Sequence, residues 1–164
     1  MKRILVTGSS GFIGRHLCET LAKDQNNYIF CLDKKKSKYY KKYKNLKFLQ
    51  TNLNEKNIFP KVDIVFHLAA FNGTKFFYSK SFEVMKDNII PTFNLLNFYK
   101  KNKPKLFVYS GSPESTVGAT DYFNYRIPTD EKCPFVIDDP LNLRWCYGGS
   151  KGLGLIGFLF QLVK

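Results

Sequence analysis

Tyr147 and Lys151, in the stretch YGGSK near the end of the chain, stand four residues apart. On a helix that spacing puts both side chains on one face. A phenol beside an ammonium can move protons. An isolated tyrosine, with a pKa of about 10, is a poor base at neutral pH, and a nearby positive charge favours its phenolate. Taken alone, such a pair is common on helix surfaces, so its weight depends on what surrounds it.

The other end of the chain carries VTGSSGFIG, with glycines at 8, 11 and 14. Gly8 suits a tight turn after a strand, Gly11 lets the backbone approach a pyrophosphate, and Gly14 lets helix and strand pack closely. A helix opening at this point offers free N–H donors to phosphate. Asp33 ends the next apolar run, nineteen residues after Gly14. A carboxylate there accepts hydrogen bonds from adenosine ribose hydroxyls and repels a 2′-phosphate, which favours NAD over NADP. Lys34, Lys35 and Lys36 come immediately after it and are the feature that would favour NADP instead.

These groups need elements to position them. The run over residues 3–7 reads as a buried strand, followed by a helix over 11–23 with Ile13, Leu17 and Leu21 at helical spacing. Further strands are expected at 28–33, 46–50, 62–70 and 105–110. The fourth is almost wholly apolar, as in a strand covered on both faces. Residues 81–102 show helical spacing in Phe82, Met85, Ile89, Phe93, Leu96 and Tyr99, and Pro91 predicts a kink or break near Asn88. A long loop containing Pro113, Pro128, Pro134 and Pro140 leads to the final helical segment. Strands alternating with helices predict a doubly wound parallel sheet of Rossmann type in three αβα layers, built as one domain over 1–164.

Composition narrows the function classes. Hydrophobic residues make up 44% and charged residues 24%, which suits a folded domain and not disorder. Cys18, Cys31, Cys133 and Cys146 are scattered and read as reduced thiols, while His16 and His67 form no metal-ligand pattern, so no metal is expected. The opening residues do not form a signal peptide, and the apolar tract over 152–163 is too short to cross a membrane. A cytoplasmic protein is expected. The net charge of +13 is concentrated in DKKKSKYYKKYKNLK, where lysines interleave with Tyr39, Tyr40 and Tyr43. Such a segment can grip nucleic acid. A solvated surface stretch in a Lys-rich protein is the preferred reading.

The spacing G-x-x-G-x-x-G, together with HLAA and YGGSK in that order, resembles the extended short-chain dehydrogenase/reductases, and within them the NAD-dependent epimerase/dehydratase family acting on nucleotide sugars. By position, the resemblance implies that Gly8, Ser10, Gly11, Phe12, Ile13 and Gly14 line the pyrophosphate, and Asp33 the ribose. It places Asn52 and Leu53, of TNLNE, beside the adenine, with Asn52 where the family often has an acid. Leu68, Ala69 and Ala70 would cover the cofactor near its diphosphate and nicotinamide ribose. Asn88 matches the residue opening the family's N-x-x-G-T helix, with Pro91 in place of its glycine.

In FVYSGSPESTVG the resemblance makes Ser112 the catalytic serine, with Ser110 the second choice and Tyr109 and Ser110 on the cofactor side. Glu114 lies near an extra acid of sugar 4,6-dehydratases and UDP-glucuronate decarboxylases, though Pro113 replaces the dehydratase aspartate; RWCYGGSK resembles the decarboxylase RWxYxxSK. The implied chemistry is proton removal from a sugar hydroxyl by Tyr147, hydride transfer to NAD, a hydrogen bond from Ser112, and Lys151 on the nicotinamide ribose. The keto-sugar so formed is common to epimerisation, dehydration and decarboxylation. The substrate class implied is a UDP-, dTDP-, GDP- or CDP-sugar, and homodimerisation through the Tyr147 helix is also implied.

After YxxxK the family continues into a small C-terminal domain that closes over the substrate. LIGFLFQLVK, from Leu155, departs from the pattern and exposes apolar surface if helical. The expectation is therefore the cofactor-binding portion of an enzyme, truncated before its substrate domain. Two other readings stand beside it: a dinucleotide-binding module without catalysis, and a basic nucleic-acid-binding protein.

Overall fold

The computed structural model describes residues 1–37, 43–55 and 58–162. Lys38, Tyr39, Tyr40, Lys41 and Lys42 of the basic segment lie outside them. The chain divides into two compact units: Met1–Ala70 with Ile90–Ser110, and Phe71–Ile89 with Gly111–Lys164.

The first unit holds a five-stranded, wholly parallel sheet formed by β1 (Lys2–Thr7), β2 (Asn27–Asp33), β3 (Leu46–Gln50), β4 (Ile64–His67) and β5 (Leu106–Tyr109), in the order β3-β2-β1-β4-β5. Alternation along β1 sorts its side chains. Ile4 and Val6 pack with Cys18 and Ala22 of α1 (Phe12–Ala22), while Leu5 packs with Leu95 and Tyr99 of α3 (Ser81–Lys101) on the other face. Helix covers both faces, as the three-layer expectation requires. The chain steps outward from β1 to β2 and β3, then returns to β4 and β5. The winding thus reverses between β1 and β4, where open α/β sheets place their ligand crevice, at the carboxyl ends of the strands. β2 ends on Asp33, and the loops after β1, β4 and β5 carry Gly8, Leu68 and Ser110.

Two expectations change in this unit. β4 stops at His67 instead of continuing to Ala70. Ala69 N–H donates to the Thr7 hydroxyl at 3.2 Å, so the backbone leaves the ladder for a side-chain partner. Helix α3 runs unbroken from 81 to 101 through Pro91. Proline removes one N–H, and the buried Val84, Leu95, Leu96 and Tyr99 anchor the helix on either side of it.

The second unit contains α2 (Thr74–Ser79), the first turns of α3, a 3-10 turn over Pro113–Ser115, α4 (Val117–Phe123) and α5 (Trp145–Leu162). Its apolar centre joins Phe77 and Val84 to Cys146 and Tyr147, with Phe71 and Phe76 packed against them. Within the long loop, Trp145 Nε1 donates to Asp138 at 2.6 Å. Gly152 leaves room for the ring of Phe135: a methyl group there would lie 2.5 Å from it. Helices α2 and α4 lie where no helix is expected from the sequence, because they are too short for periodicity to register. The tail of α5 does leave Leu153, Leu155, Ile156, Leu159 and Phe160 exposed, as expected for a helical LIGFLFQ.

Candidate active site

In the first unit the backbone does most of the positioning. Gly8 has φ +65°, the left-handed region that favours glycine, and a methyl group on it would lie 2.7 Å from Ala69 N. On Gly14 a methyl would lie 2.2 Å from the Gly8 carbonyl oxygen. Both positions therefore exclude side chains, and the loop folds back tightly on the start of α1. That helix begins after Gly11 with no capping side chain and no acidic residue in its first turn. Its N-terminus thus presents N–H groups and the positive end of the helix dipole without an internal anion. Phe12 and Ile13 flank it, 79% and 67% exposed.

Asp33 is held at the end of β2 by Ser10 N–H and Lys35 N–H, each donating to one carboxylate oxygen at 3.0 Å. A carboxylate has about four acceptor positions, so capacity remains for the two hydroxyls of a ribose. The bare cradle, the uncapped helix and this carboxylate fit a dinucleotide. The Ser10 hydroxyl donates to the Lys35 carbonyl, tying the glycine loop to the turn after β2.

Other residues of the expected set take structural positions. Asn52 donates to Glu55 at 2.8 Å and accepts from Asn54 N–H, closing a local turn. The Leu53 side chain, expected beside an adenine, packs into the core with Phe59 and Leu95. Ser110 donates to the His67 carbonyl at 3.0 Å, which commits the second-choice serine to the sheet, while Tyr109 sets its ring 5.8 Å from that of His67. Leu68 and Ala69 are half-buried and Ala70 exposed, directly against the Gly8 turn.

Beneath them runs a buried relay that reading the sequence missed. Thr7 Oγ1 lies 2.7 Å from His67 Nδ1, and His67 Nε2 lies 3.0 Å from Thr92 Oγ1. It ties the ends of β1 and β4 to α3, and a lone histidine in an apolar run carries no signal of such a partner.

The second unit holds Ser112, Glu114, Tyr147, Lys151 and Asn88. Tyr147, 9% exposed, stacks on Phe77 with ring centres 5.1 Å apart and planes 16° from parallel. Burial pushes its phenol above the usual tyrosine value, the Glu114 carboxylate adds to the rise, and a hydrogen bond with Ser112 partly offsets it. Ser112, not Ser110, is therefore the serine that meets the phenol. Lys151 is 3% exposed, and burial lowers its ammonium to a pKa of about 8. The expectation that Lys151 draws the phenol downward is not what dominates here: desolvation moves both groups toward their neutral forms.

Glu114 accepts from Arg144 Nη2 at 2.7 Å. Gly148, beside Tyr147 in YGGSK, lets the Glu114 carbonyl approach α5, since a methyl there would come within 2.8 Å of that oxygen. Asn88, expected to contact a cofactor, is 3% exposed and acts as a tie. It accepts from Phe71 N–H at 2.7 Å and donates to Ser150 Oγ at 3.1 Å, and Ser150 in turn donates to the Tyr147 carbonyl at 2.8 Å. Arg144 and Ser150, each three residues from Tyr147, were legible by spacing; Phe77, seventy residues away, was not. Among the described residues no group of three or more metal-binding side chains occurs, and no helix is long and apolar enough to cross a membrane.

Comparison with known proteins agrees with this fold. The sequence profile of the NAD dependent epimerase/dehydratase family matches residues 4–155. The chain is 37% identical to UDP-N-acetyl-alpha-D-glucosaminuronate decarboxylase of Bacillus cytotoxicus over 160 residues, covering 93% of this chain and 47% of that protein. It is 35% identical to dTDP-D-glucose 4,6-dehydratase of Dictyostelium discoideum over 130 residues, covering 70% and 30%. Among solved structures it is similar to UDP-glucose 4-epimerase of Thermotoga maritima with UDP-glucose, with a TM-score of 0.76 and 26% identity over 96% of this chain and 50% of that one. The chain spans half the length of these relatives or less. With that profile matching residues 4–155 of a chain folded as a parallel sheet between helices, the chain belongs to the NAD dependent epimerase/dehydratase family.

Proposed function

We propose that residues 1–164 are the NAD-binding Rossmann portion of a nucleotide-sugar epimerase or dehydratase, with the helix tail after Leu155 beyond the residues the family profile matches. The observation that carries this reading is the burial of Tyr147 and Lys151 one turn apart on the same helix, in the unit that also holds Ser112. NAD, when bound, supplies the hydride acceptor for oxidation of a sugar hydroxyl carbon.

The chain's own residues do the rest. The amides that open α1 hold the pyrophosphate, and Asp33 accepts from the adenosine ribose. Leu68, Ala69 and Ala70 line the path of the cofactor, and Lys151 holds the nicotinamide ribose. Ser112 orients the sugar hydroxyl and Tyr147 takes its proton. Glu114, steadied by Arg144, is the acid available for the second half of the reaction, at the keto-sugar. Asn88 and Ser150 keep Tyr147 and Lys151 on a fixed turn of α5.

Thermal melting with NAD and, separately, NADP tests the cofactor half. A ligand that binds only the folded state stabilises by about 2.7 kcal/mol at one hundred times its dissociation constant. A shift with NAD alone supports the reading, and a larger shift with NADP would transfer the discriminating role from Asp33 to Lys34–Lys36. A cooperative melt that neither cofactor moves overturns it. The reading also includes a cytoplasmic setting and self-association through α5, whose exposed Leu155, Ile156, Leu159 and Phe160 are available for contact. Cell fractionation and sedimentation in solution check these, recovery in a membrane fraction or a strict monomer counting against each in turn.

A further inference from the structure

Cys18 and Cys31 are both fully buried, and their sulfurs lie 3.3 Å apart. Cys18 sits on α1 and Cys31 on β2, within the apolar cluster of Ile4, Val6, Ala22 and Ile29. The other two thiols, Cys133 and Cys146, lie in the second unit. Neither Cys18 nor Cys31 touches the chemistry proposed for Tyr147. Their position is nonetheless pointed: Cys18 lies one turn beyond the glycine cradle, and Cys31 precedes Asp33 by two residues.

We propose that Cys18 and Cys31 are a thiol–disulfide site, a covalent link between the helix that opens at the phosphate cradle and the strand that ends at Asp33. Bond formation brings the sulfurs from 3.3 Å to about 2.0 Å, a closure of roughly 1.3 Å. That is within the reach of side-chain adjustment. The oxidant is a small peroxide. One thiol gives its sulfur to the peroxide oxygen, forming a sulfenic acid and water. The second thiol then displaces hydroxide from that sulfur, which leaves as a second water once protonated. Two thiols and one hydrogen peroxide thus become one disulfide and two waters, with no other reactant. The Cys31 thiol is held strongly protonated by its neighbour and by burial. Reaction therefore proceeds through transient local opening, is slow in the cold and accelerates below the melting midpoint. The link would close a short loop and restrict the unfolded chain, so the oxidised protein melts higher.

The test is peroxide treatment of the whole folded chain, alkylation of remaining thiols, and non-reducing peptide mapping. The expected result is a linked pair of peptides containing Cys18 and Cys31, reversed by dithiothreitol, with a raised melting midpoint while linked. Recovery of Cys18 and Cys31 as alkylated thiols under conditions that oxidise Cys133, or linkage of either to Cys133 or Cys146, overturns the proposal. Cys133→Ser with Cys146→Ser, which leaves the pair untouched, must still form the link. This outcome does not depend on cofactor binding or turnover, so it stands apart from the function proposed above.

Discussion

The cradle around Gly8–Gly14 and the turn of α5 around Tyr147 solve different problems. The cradle works by what is missing: two positions where a single methyl would meet backbone at 2.2 and 2.7 Å, and a helix end without a cap. Around Tyr147 the work is done by what has been packed in. Phe77, Ser112, Glu114, Asn88 and Ser150 converge there, and together they set the protonation state of a tyrosine and its orientation. A backbone cradle tolerates no addition, whereas a side-chain cluster can be tuned group by group. Substitutions in the first should therefore act as all-or-none breaks, and substitutions in the second as graded changes.

The largest expected effect tests the cluster at its centre. In an assay for the proposed oxidation, Tyr147→Phe is expected to lower kcat by about 10²–10⁴-fold, the usual contribution of a positioned proton-transfer group. The stack on Phe77 survives, so the melting midpoint should barely move; an equal loss of stability would show that Tyr147 is a packing residue. Gly14→Ala comes next and breaks the cradle. It should cost about 3 kcal/mol in denaturant unfolding and abolish the NAD-dependent melting shift, because the carbonyl it meets is backbone and cannot yield cheaply. An unperturbed NAD shift in this variant would separate the cradle from the cofactor.

Lys151 sharpens the contrast through pH. Its folded pKa of about 8 lies below the ordinary 10.5, so between those values the unfolded chain binds more protons than the folded one. Burying the ammonium costs stability in full below pH 8, and the cost is relieved as pH rises from about 8 toward 10.5, by roughly 3 kcal/mol at most. The raised Tyr147 pKa opposes this only above about pH 10. Lys151→Met should flatten the rise in stability between pH 8 and 10; an unchanged slope would show that the rise has another origin.

Asn88→Ala removes a buried tie, and a loss of about 1–3 kcal/mol is expected. NAD-dependent stabilisation should persist if Asn88 only positions α5, and should vanish if it contacts the cofactor. The smallest effect belongs to Glu114→Gln. The Arg144 ion pair is partly exposed, so stability should change by about 1 kcal/mol or less. Removing the carboxylate should nonetheless lower the Tyr147 pKa, visible as earlier phenolate absorbance on titration against Tyr147→Phe as the blank.

The two regions also differ in how far they could be read from the sequence. Glycine spacing after a β-branched run, an acid at the next strand end and an alternation of strands with helices led to the parallel sheet, the tight turn at Gly8, the close packing at Gly14 and the strand end at Asp33 that the structure has. These features depend on local backbone conformation, which residues specify by being small, branched or charged. YGGSK likewise placed Tyr147 and Lys151 on one helical turn. The side-chain partners of Ser10, Leu53 and Asn88 could not be read the same way. Each matches a family position, but whether the side chain faces a ligand, the core or a neighbouring helix depends on residues far away in sequence. Pro91 shows the same limit from the other side: its local bias against helix was overridden by burial along α3.

What the sequence determined by itself was the order of elements, the parallel winding and the spacing of the groups able to do chemistry, because steric propensity and hydrophobic period act over a few residues. What only the tertiary structure decided was the environment of those groups. The raised phenol of Tyr147, the lowered ammonium of Lys151, the Asn88–Ser150 tie and the approach of Cys18 to Cys31 all arise where segments distant along the chain exclude water together, and desolvation is a property of the assembled neighbourhood, not of any residue in it.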